Sequence, residues 1–263
     1  MIPPRSRAGC ATNLRLPLAL LAILLVVAAY FIYPFLRTRG GRSLLLGEWF
    51  RNPAAHADWA VTAGQRCGEA PFLIPTSGYI GFIWGDSFRP GHTHQGIDVF
   101  GGQEPGETPV VAASDGYLTR LPDWKSTVIL RLPSDPLMPG RQIWLYYTHM
   151  ADTRGNSFIV AEFPPGTQDV FVEAGTLLGY QGNYSGDPIN PTGIHLHFSI
   201  VLDDGQGRFR NELEIKNTLD PSPYLGLLLD ASENPYGIPM CKQGLITPPP
   251  TPAPQGAGVT TEK

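Results

Sequence analysis

The stretch Thr192-Gly193-Ile194-His195-Leu196-His197-Phe198-Ser199-Ile200 decides the fold. In extended backbone, residues two apart face the same side. His195 and His197 therefore share one face, while Leu196 and Phe198 share the other, and the flanking Ile, Phe, Ser and Ile predict a strand over Ile194–Ile200. Working outward, short β-like runs recur at Thr108–Ala112, Thr127–Leu132, Gln142–Thr148 and Leu196–Leu202, separated by Gly, Pro and Asp turns. Between residues 71 and 230 no segment reads as an amphipathic helix longer than two turns. The expected fold is mainly β, with antiparallel strands.

Composition agrees with many turns. Charged residues make up only 16% of the chain, while Gly (30) and Pro (27) are abundant. The net charge of -4 conceals an asymmetry. Residues 1–42 carry six arginines and no acid, which leaves 43–263 with 13 basic against 23 acidic side chains, a net of -10. Nucleic-acid binding needs a basic face, so no nucleic-acid partner is expected.

The N-terminus reads as a membrane anchor. Leu16 to Leu36 holds no charged residue and is bracketed by Arg15 and Arg37. At about 1.5 Å per residue, such a helix spans roughly the 30 Å of a bilayer core. The run exceeds the apolar region of a signal peptide, and Cys10 precedes it, so it is no lipobox cysteine. The expected organisation is a cytoplasmic N-terminus (1–15), a transmembrane anchor (16–36), a juxtamembrane connector with a short ordered piece (37–70) and a catalytic domain (71–230). A C-terminal extension (231–245) and a Pro-rich disordered tail (246–263) follow. Cys67 and Cys241 can pair if that domain faces an oxidising compartment; two unpaired thiols are the plain alternative.

Metal chemistry enters through the histidines. His94-Gln95-Gly96-Ile97-Asp98 and His195-Leu196-His197 supply imidazole and carboxylate without thiolate, the donor set of a catalytic zinc ion with a fourth position open. Gly96 is expected to bend the backbone so that His94 and Asp98 converge. A third element, Tyr147-Thr148-His149-Met150, ends another β-like run with a histidine. His92-Thr93-His94 is a further HxH, so on residues alone either His92 or His94 can be the ligand. His56 stands apart and reads as a partnerless surface residue.

Together, His94-x-Gly96-x-Asp98, His149 after a Tyr-rich strand and Thr192–Phe198 resemble the motifs of the lysostaphin/LytM-type zinc metallopeptidases, which cut peptide bonds in bacterial peptidoglycan. Pro75–Ile80, Gly106–Gly116 and Glu173–Gly179 resemble further segments of that family, so the resemblance covers roughly residues 72–225. It implies an antiparallel β-sheet groove with a lipoyl-like sandwich. His94, Asp98 and His197 correspond to the Zn2+ ligands, which favours His94 over His92. His149 and His195 correspond to a catalytic pair that lines the cleft without binding metal. The stretch from Gly182 to Thr192 looks longer than the usual family loop and is expected beside the cleft.

The function this implies is a single-pass, membrane-anchored zinc metalloendopeptidase with an extracytoplasmic catalytic domain. It would hydrolyse peptidoglycan peptides with a zinc-activated water; the resemblance names no protein activator. Two alternatives remain at this level: a non-catalytic wall-binding or amidase-activating module, and an extracytoplasmic peptidase acting on proteins.

Overall fold

The computed structural model describes residues 20–28, 41–86, 92–102, 104–228, 237–241 and 246–247 of the chain. The chain divides into two units, Met1–Gly41 and Arg42–Lys263. In the first unit, residues 20–28 are helical (α1). No helix among the described residues is long and apolar enough to cross a membrane. The remaining positions of the expected span, 16–19 and 29–36, lie outside the described residues, as do 248–263 of the expected tail.

The second unit begins one residue into α2 (Gly41–Arg51), which is followed by a 3-10 turn over Pro53–Trp59. Strands follow in chain order: β1 (Ala60–Val61), β2 (Arg66–Cys67), β3 (Gly78–Phe82), β4 (Ile97–Phe100) and β5 (Pro109–Val111). Next come β6 (Gly116–Thr119), β7 (Val128–Leu132), β8 (Ile143–Thr148), β9 (Val170–Val172), β10 (Leu177–Tyr180) and β11 (Leu196–Leu202). The last elements are β12 (Thr218–Leu219), the short α3 (Ser222–Leu225), β13 (Leu227–Leu228), β14 (Met240–Cys241) and β15 (Ile246–Thr247).

A nine-stranded sheet runs β1-β3-β4-β11-β8-β7-β6-β9, with β12 also paired to β11, and every pairing is antiparallel. The period-2 alternation of its central strands sorts the faces. Leu196, Phe198 and Ile200 of β11 join Ile97 and Val99 of β4, Leu130 of β7 and Leu145 and Tyr147 of β8 in one buried cluster. The β5–β10 pair covers this face, since Val110 and Leu178 belong to the same cluster. The opposite face carries Asp98, His197, Thr148 and Tyr146. Away from the histidines it is closed by Ile129, Trp144 and Val201 under Trp124 and Phe209.

The strands expected at 108–112, 127–132, 142–148 and 196–202 form as Pro109–Val111, Val128–Leu132, Ile143–Thr148 and Leu196–Leu202. The segment read as a connector holds more than a short piece. It carries α2, and β1 pairs with β3 at the sheet edge. Cys67 and Cys241 are joined by a disulfide, with Cα atoms 5.0 Å apart, so of the two alternatives open in the sequence the paired one is found. Ile246 and Thr247, the first residues of the expected disordered tail, pair with Cys67 and Arg66.

Candidate metal centre and cleft

Strand register brings the site together. His197 on β11 stands opposite Asp98 on β4 and, on its other side, opposite Thr148, the last residue of β8 before His149. Facing residues in an antiparallel pair have Cβ atoms about 5 Å apart, so three strands deliver three groups to one spot. His94 enters from the segment before β4. Gly96 between them sits in a bend, as expected, and a Cβ there would lie 2.2 Å from the Phe198 carbonyl oxygen, so glycine also serves close strand approach. His195 is anchored by an isolated bridge to Gly182, where a Cβ would meet the Ala151 carbonyl oxygen at 2.2 Å.

Three ligand atoms form a small triangle. His94 Nε2 lies 3.0 Å from Asp98 Oδ1 and 3.0 Å from His197 Nδ1, and His197 Nδ1 lies 2.8 Å from Asp98 Oδ1. His94 and Asp98 are buried and His197 is nearly so. The chemistry of the donors asks for a cation. His94 Nδ1 is 3.0 Å from the Ile83 carbonyl oxygen, which can only accept, so that nitrogen carries a proton. In the neutral ring Nε2 then turns a lone pair toward a carboxylate oxygen and a second imidazole nitrogen, so three ligand atoms converge on a point where a metal cation, or a proton in its place, satisfies them. Ligands at about 2.0–2.1 Å from a tetrahedral zinc are separated by about 3.3 Å, close to the edges found here. The second ring nitrogen bonded to a main-chain carbonyl is also how metal-binding imidazoles are usually oriented. The residues fit a divalent ion.

Electrostatics agree. Burial would raise the Asp98 pKa, yet the facing His94 and His195, with hydrogen bonds to His197 and His94, hold it well below the ordinary carboxylate value. Burial would lower that of His94, but Asp98 pulls it up. His197 is pushed down by burial, which outweighs the help of Asp98, with smaller repulsions from His94 and His195 adding to it.

His149 and His195 stand beside the triangle, their rings 4.5 Å apart. His149 Nδ1 donates to the Tyr184 carbonyl oxygen at 2.6 Å and His195 Nδ1 to that of Gly193 at 2.7 Å. The nitrogen left facing the cleft in each ring is Nε2, and His195 Nε2 lies 3.6 Å from Asp98 Oδ1. Burial and the neighbouring histidines lower the His149 pKa to about 3, which keeps the ring neutral at pH 7. His149 is also one of two non-glycine residues with positive φ among the described residues, at 74°, a conformation that costs energy. Phe100 stacks on His195 at 4.9 Å and 24°.

All five residues line one cleft of about 840 Å³. The 182–192 stretch does lie beside it: Tyr184, Ser185, Gly186 and Thr192 are lining residues, and the Tyr184 carbonyl holds His149. His92 lines the same cleft without joining the triangle, and the metal-capable group is His94, Asp98 and His197. His56 does have partners, since it stacks on Trp59 at 3.9 Å and its Nε2 lies 3.9 Å from Glu48. The sequence reading missed Leu46 and Phe50 of α2, and Thr127, Tyr146 and Glu212, all of which line the cleft. Tyr146 and Thr148 were legible in principle, being two apart on the face that carries His197.

No family model matches the chain, and neither does any curated protein. Solved structures do. The catalytic domain of the antimicrobial peptidase lysostaphin from Staphylococcus simulans is 21% identical, with a TM-score of 0.37 over 56% of this chain and 92% of that one. A candidate LytM glycyl-glycine endopeptidase from Ruminococcus gnavus is 26% identical, with a TM-score of 0.32 over 49% of this chain and 44% of that one. A candidate M23 peptidase from Pseudomonas aeruginosa is 21% identical, with a TM-score of 0.35 over 69% of this chain and 62% of that one. This chain thus spans less than two thirds of the latter two. Lysostaphin and LytM are thus among the solved structures to which the chain is similar, and they are of the family that its motifs resemble.

Proposed function

We propose that this chain is a zinc metalloendopeptidase that hydrolyses peptide bonds of bacterial cell-wall peptidoglycan, held at the membrane by residues 16–36 with its sheet on the extracytoplasmic side. The observation that carries the reading is the triangle of His94 Nε2, Asp98 Oδ1 and His197 Nδ1 with two further imidazoles beside it. An ion held there supplies Lewis acidity. Asp98 contributes the negative charge of the ligand set. His149 and His195, oriented by the Tyr184 and Gly193 carbonyls, offer Nε2 to take a proton from the attacking water and return it to the departing amide nitrogen. Whichever ring bears that proton can also donate to the oxygen on which negative charge develops. The Thr127 and Thr148 hydroxyls, 2.7 Å apart, offer hydrogen-bonding partners for a peptide backbone along the same wall.

Location is supported independently of the site. The Cys67–Cys241 disulfide suits an oxidising compartment, and the uncharged run from Leu16 to Leu36 is long enough for a membrane span. The test is to measure zinc per chain in the full-length protein and to digest purified wall beside an unrelated protein substrate, with mass spectrometry of the products. New peptide ends in wall fragments from zinc-loaded protein are expected. Cleavage of the protein substrate alone would overturn the substrate, and a chain that retains no divalent ion would overturn the reading.

A further inference from the structure

Away from the metal triangle, the β8 wall of the cleft holds a carboxylate in a fixed place. Tyr146 stands two residues before Thr148 on β8, on the face that carries His197, and pairs in register with Ser199. Two strand residues put it about 7 Å along the cleft from the level of the triangle. Burial, and then the negative charge of Glu212, push its pKa up to about 12, so the phenol keeps its proton and donates a hydrogen bond to the Glu212 carboxylate. Its oxygen also shares hydrogen bonds with the Thr127 and Thr148 hydroxyls. Trp124 meets the Tyr146 ring edge-on, at 6.0 Å and 88°, and rests against Phe209 at 5.7 Å. Glu212, Tyr146 and Trp124 all line the cleft, so one carboxylate and two aromatic rings border the same part of it.

An ionised carboxylate offers about four lone-pair sites, and the Tyr146 phenol takes one of them. The remaining sites only accept, and they lie beside ring faces that attract cations. Such a setting holds a primary ammonium better than a neutral or anionic group. The charged residues among the described lining are Asp98, Asp123, Lys125 and Glu212. Asp98 belongs to the triangle, and Asp123, next in the chain to Trp124, adds negative potential. The Lys125 ammonium is drawn over the Tyr184 ring, 5.8 Å from its centroid. We propose that Glu212, with Trp124 and Tyr146, is a specificity-determining subsite that binds a primary ammonium group on the peptide, one or two residues from the cleaved bond. The inference rests on the peptidase reading above and narrows its substrate class.

The test uses full-length, metal-loaded protein and paired wall-type peptides. The peptides are alike except that one lysine, one or two residues from the cleaved bond, is free or acetylated, since acetylation removes the charge. Wild-type protein should favour the free lysine about tenfold, through KM, at one of those positions. Glu212→Gln should keep its metal and bring the two KM values within about twofold of each other. Glu212→Lys should reverse the order, because like charges then face each other. Glu162→Gln, which removes an exposed carboxylate outside the cleft lining, should keep the wild-type ratio. Anisotropy of the labelled peptides reads the same preference from binding. A protein that cleaves neither peptide yet binds the free lysine more tightly defeats the peptidase reading and leaves the subsite standing. Equal KM values and equal binding of the two peptides by wild-type protein would overturn the proposal, as would a folded, metal-loaded Glu212→Gln protein that retains the wild-type preference.

Discussion

Replacing Gly96 by alanine should damage the site through backbone alone. The added Cβ would sit 2.2 Å from the Phe198 carbonyl oxygen and 2.9 Å from Ser199 Cβ, whereas ordinary contact begins at 3.4 Å. To relieve it, β4 and β11 must part by about 1.2 Å, a shift typical of overpacked sites. Those same strands hold Asp98 opposite His197, whose ligand atoms are 2.8 Å apart. Their separation would then grow to about 4 Å, beyond the roughly 3.3 Å between neighbouring ligands of a tetrahedral zinc. Overpacking of this size costs about 3 kcal/mol, or roughly 6–12 °C in Tm for a domain of this length. Metal affinity should fall by at least about 100-fold. Calorimetry and metal titration on the purified variant measure both. Gly47→Ala on α2, where nothing lies within 4 Å, is the control and should gain up to about 1 kcal/mol. A Gly96→Ala protein that melts within 2 °C of wild type, by roughly the precision of such scans, and binds metal equally well would refute the close-approach argument.

Three further outcomes follow from other parts of the molecule. The Cys67–Cys241 bridge closes a sequence separation of 174 residues, worth about 5 kcal/mol in the chain-entropy model, so reduction or the double serine variant should lower Tm by about 10 °C or more; an unchanged Tm would show that the bridge constrains nothing. Asp135 is fully buried, and although burial favours its protonated form, hydrogen bonds from Arg141, Leu137 N and Tyr224 hold its pKa below the ordinary value. Its stabilisation is therefore complete above about pH 4 and lost as pH falls through the folded-state value. Asp135→Asn should cost about 3 kcal/mol at pH 7 in urea unfolding. The gap to wild type should narrow toward pH 3, and a constant gap would contradict the assignment. His149→Ala should keep its metal yet lose about 10²–10⁴ in kcat, measured on wall fragments; loss of the metal instead would make His149 a ligand or a support for one.

Much of the sheet was legible because its central strands alternate. Leu196, Phe198 and Ile200 face one buried layer and leave His197 on the other face, so period 2 alone delivers strand and site. Asp98 was legible through its motif with His94, whereas the inward turn of Ile97 and Val99 on either side of it emerges in the folded sheet. What local pattern could not supply was the role of residues distant in sequence. α2 carries a glycine in mid-helix and Leu44 on its exposed side, so its periodicity is weak and its packing on Tyr79 and Phe100 arises only in the folded sheet. The Tyr184 carbonyl that orients His149 is a main-chain group and has no signature in residue type. Gly96 was legible as a glycine at a bend, but the close approach of the Phe198 carbonyl across the strand pair is not revealed by sequence spacing. Pairing of Cys67 with Cys241 depends on tertiary proximity, which a separation of 174 residues leaves open.

Metal stoichiometry of single-residue variants tests the central claim most directly. Full-length protein, dialysed and measured by elemental analysis, should hold one divalent ion per chain. His94→Ala, Asp98→Ala and His197→Ala should each lose it, while His92→Ala and His149→Ala retain it. A His197→Ala protein that keeps its ion, or a His92→Ala protein that sheds it, would contradict the assignment of the triangle as the metal centre.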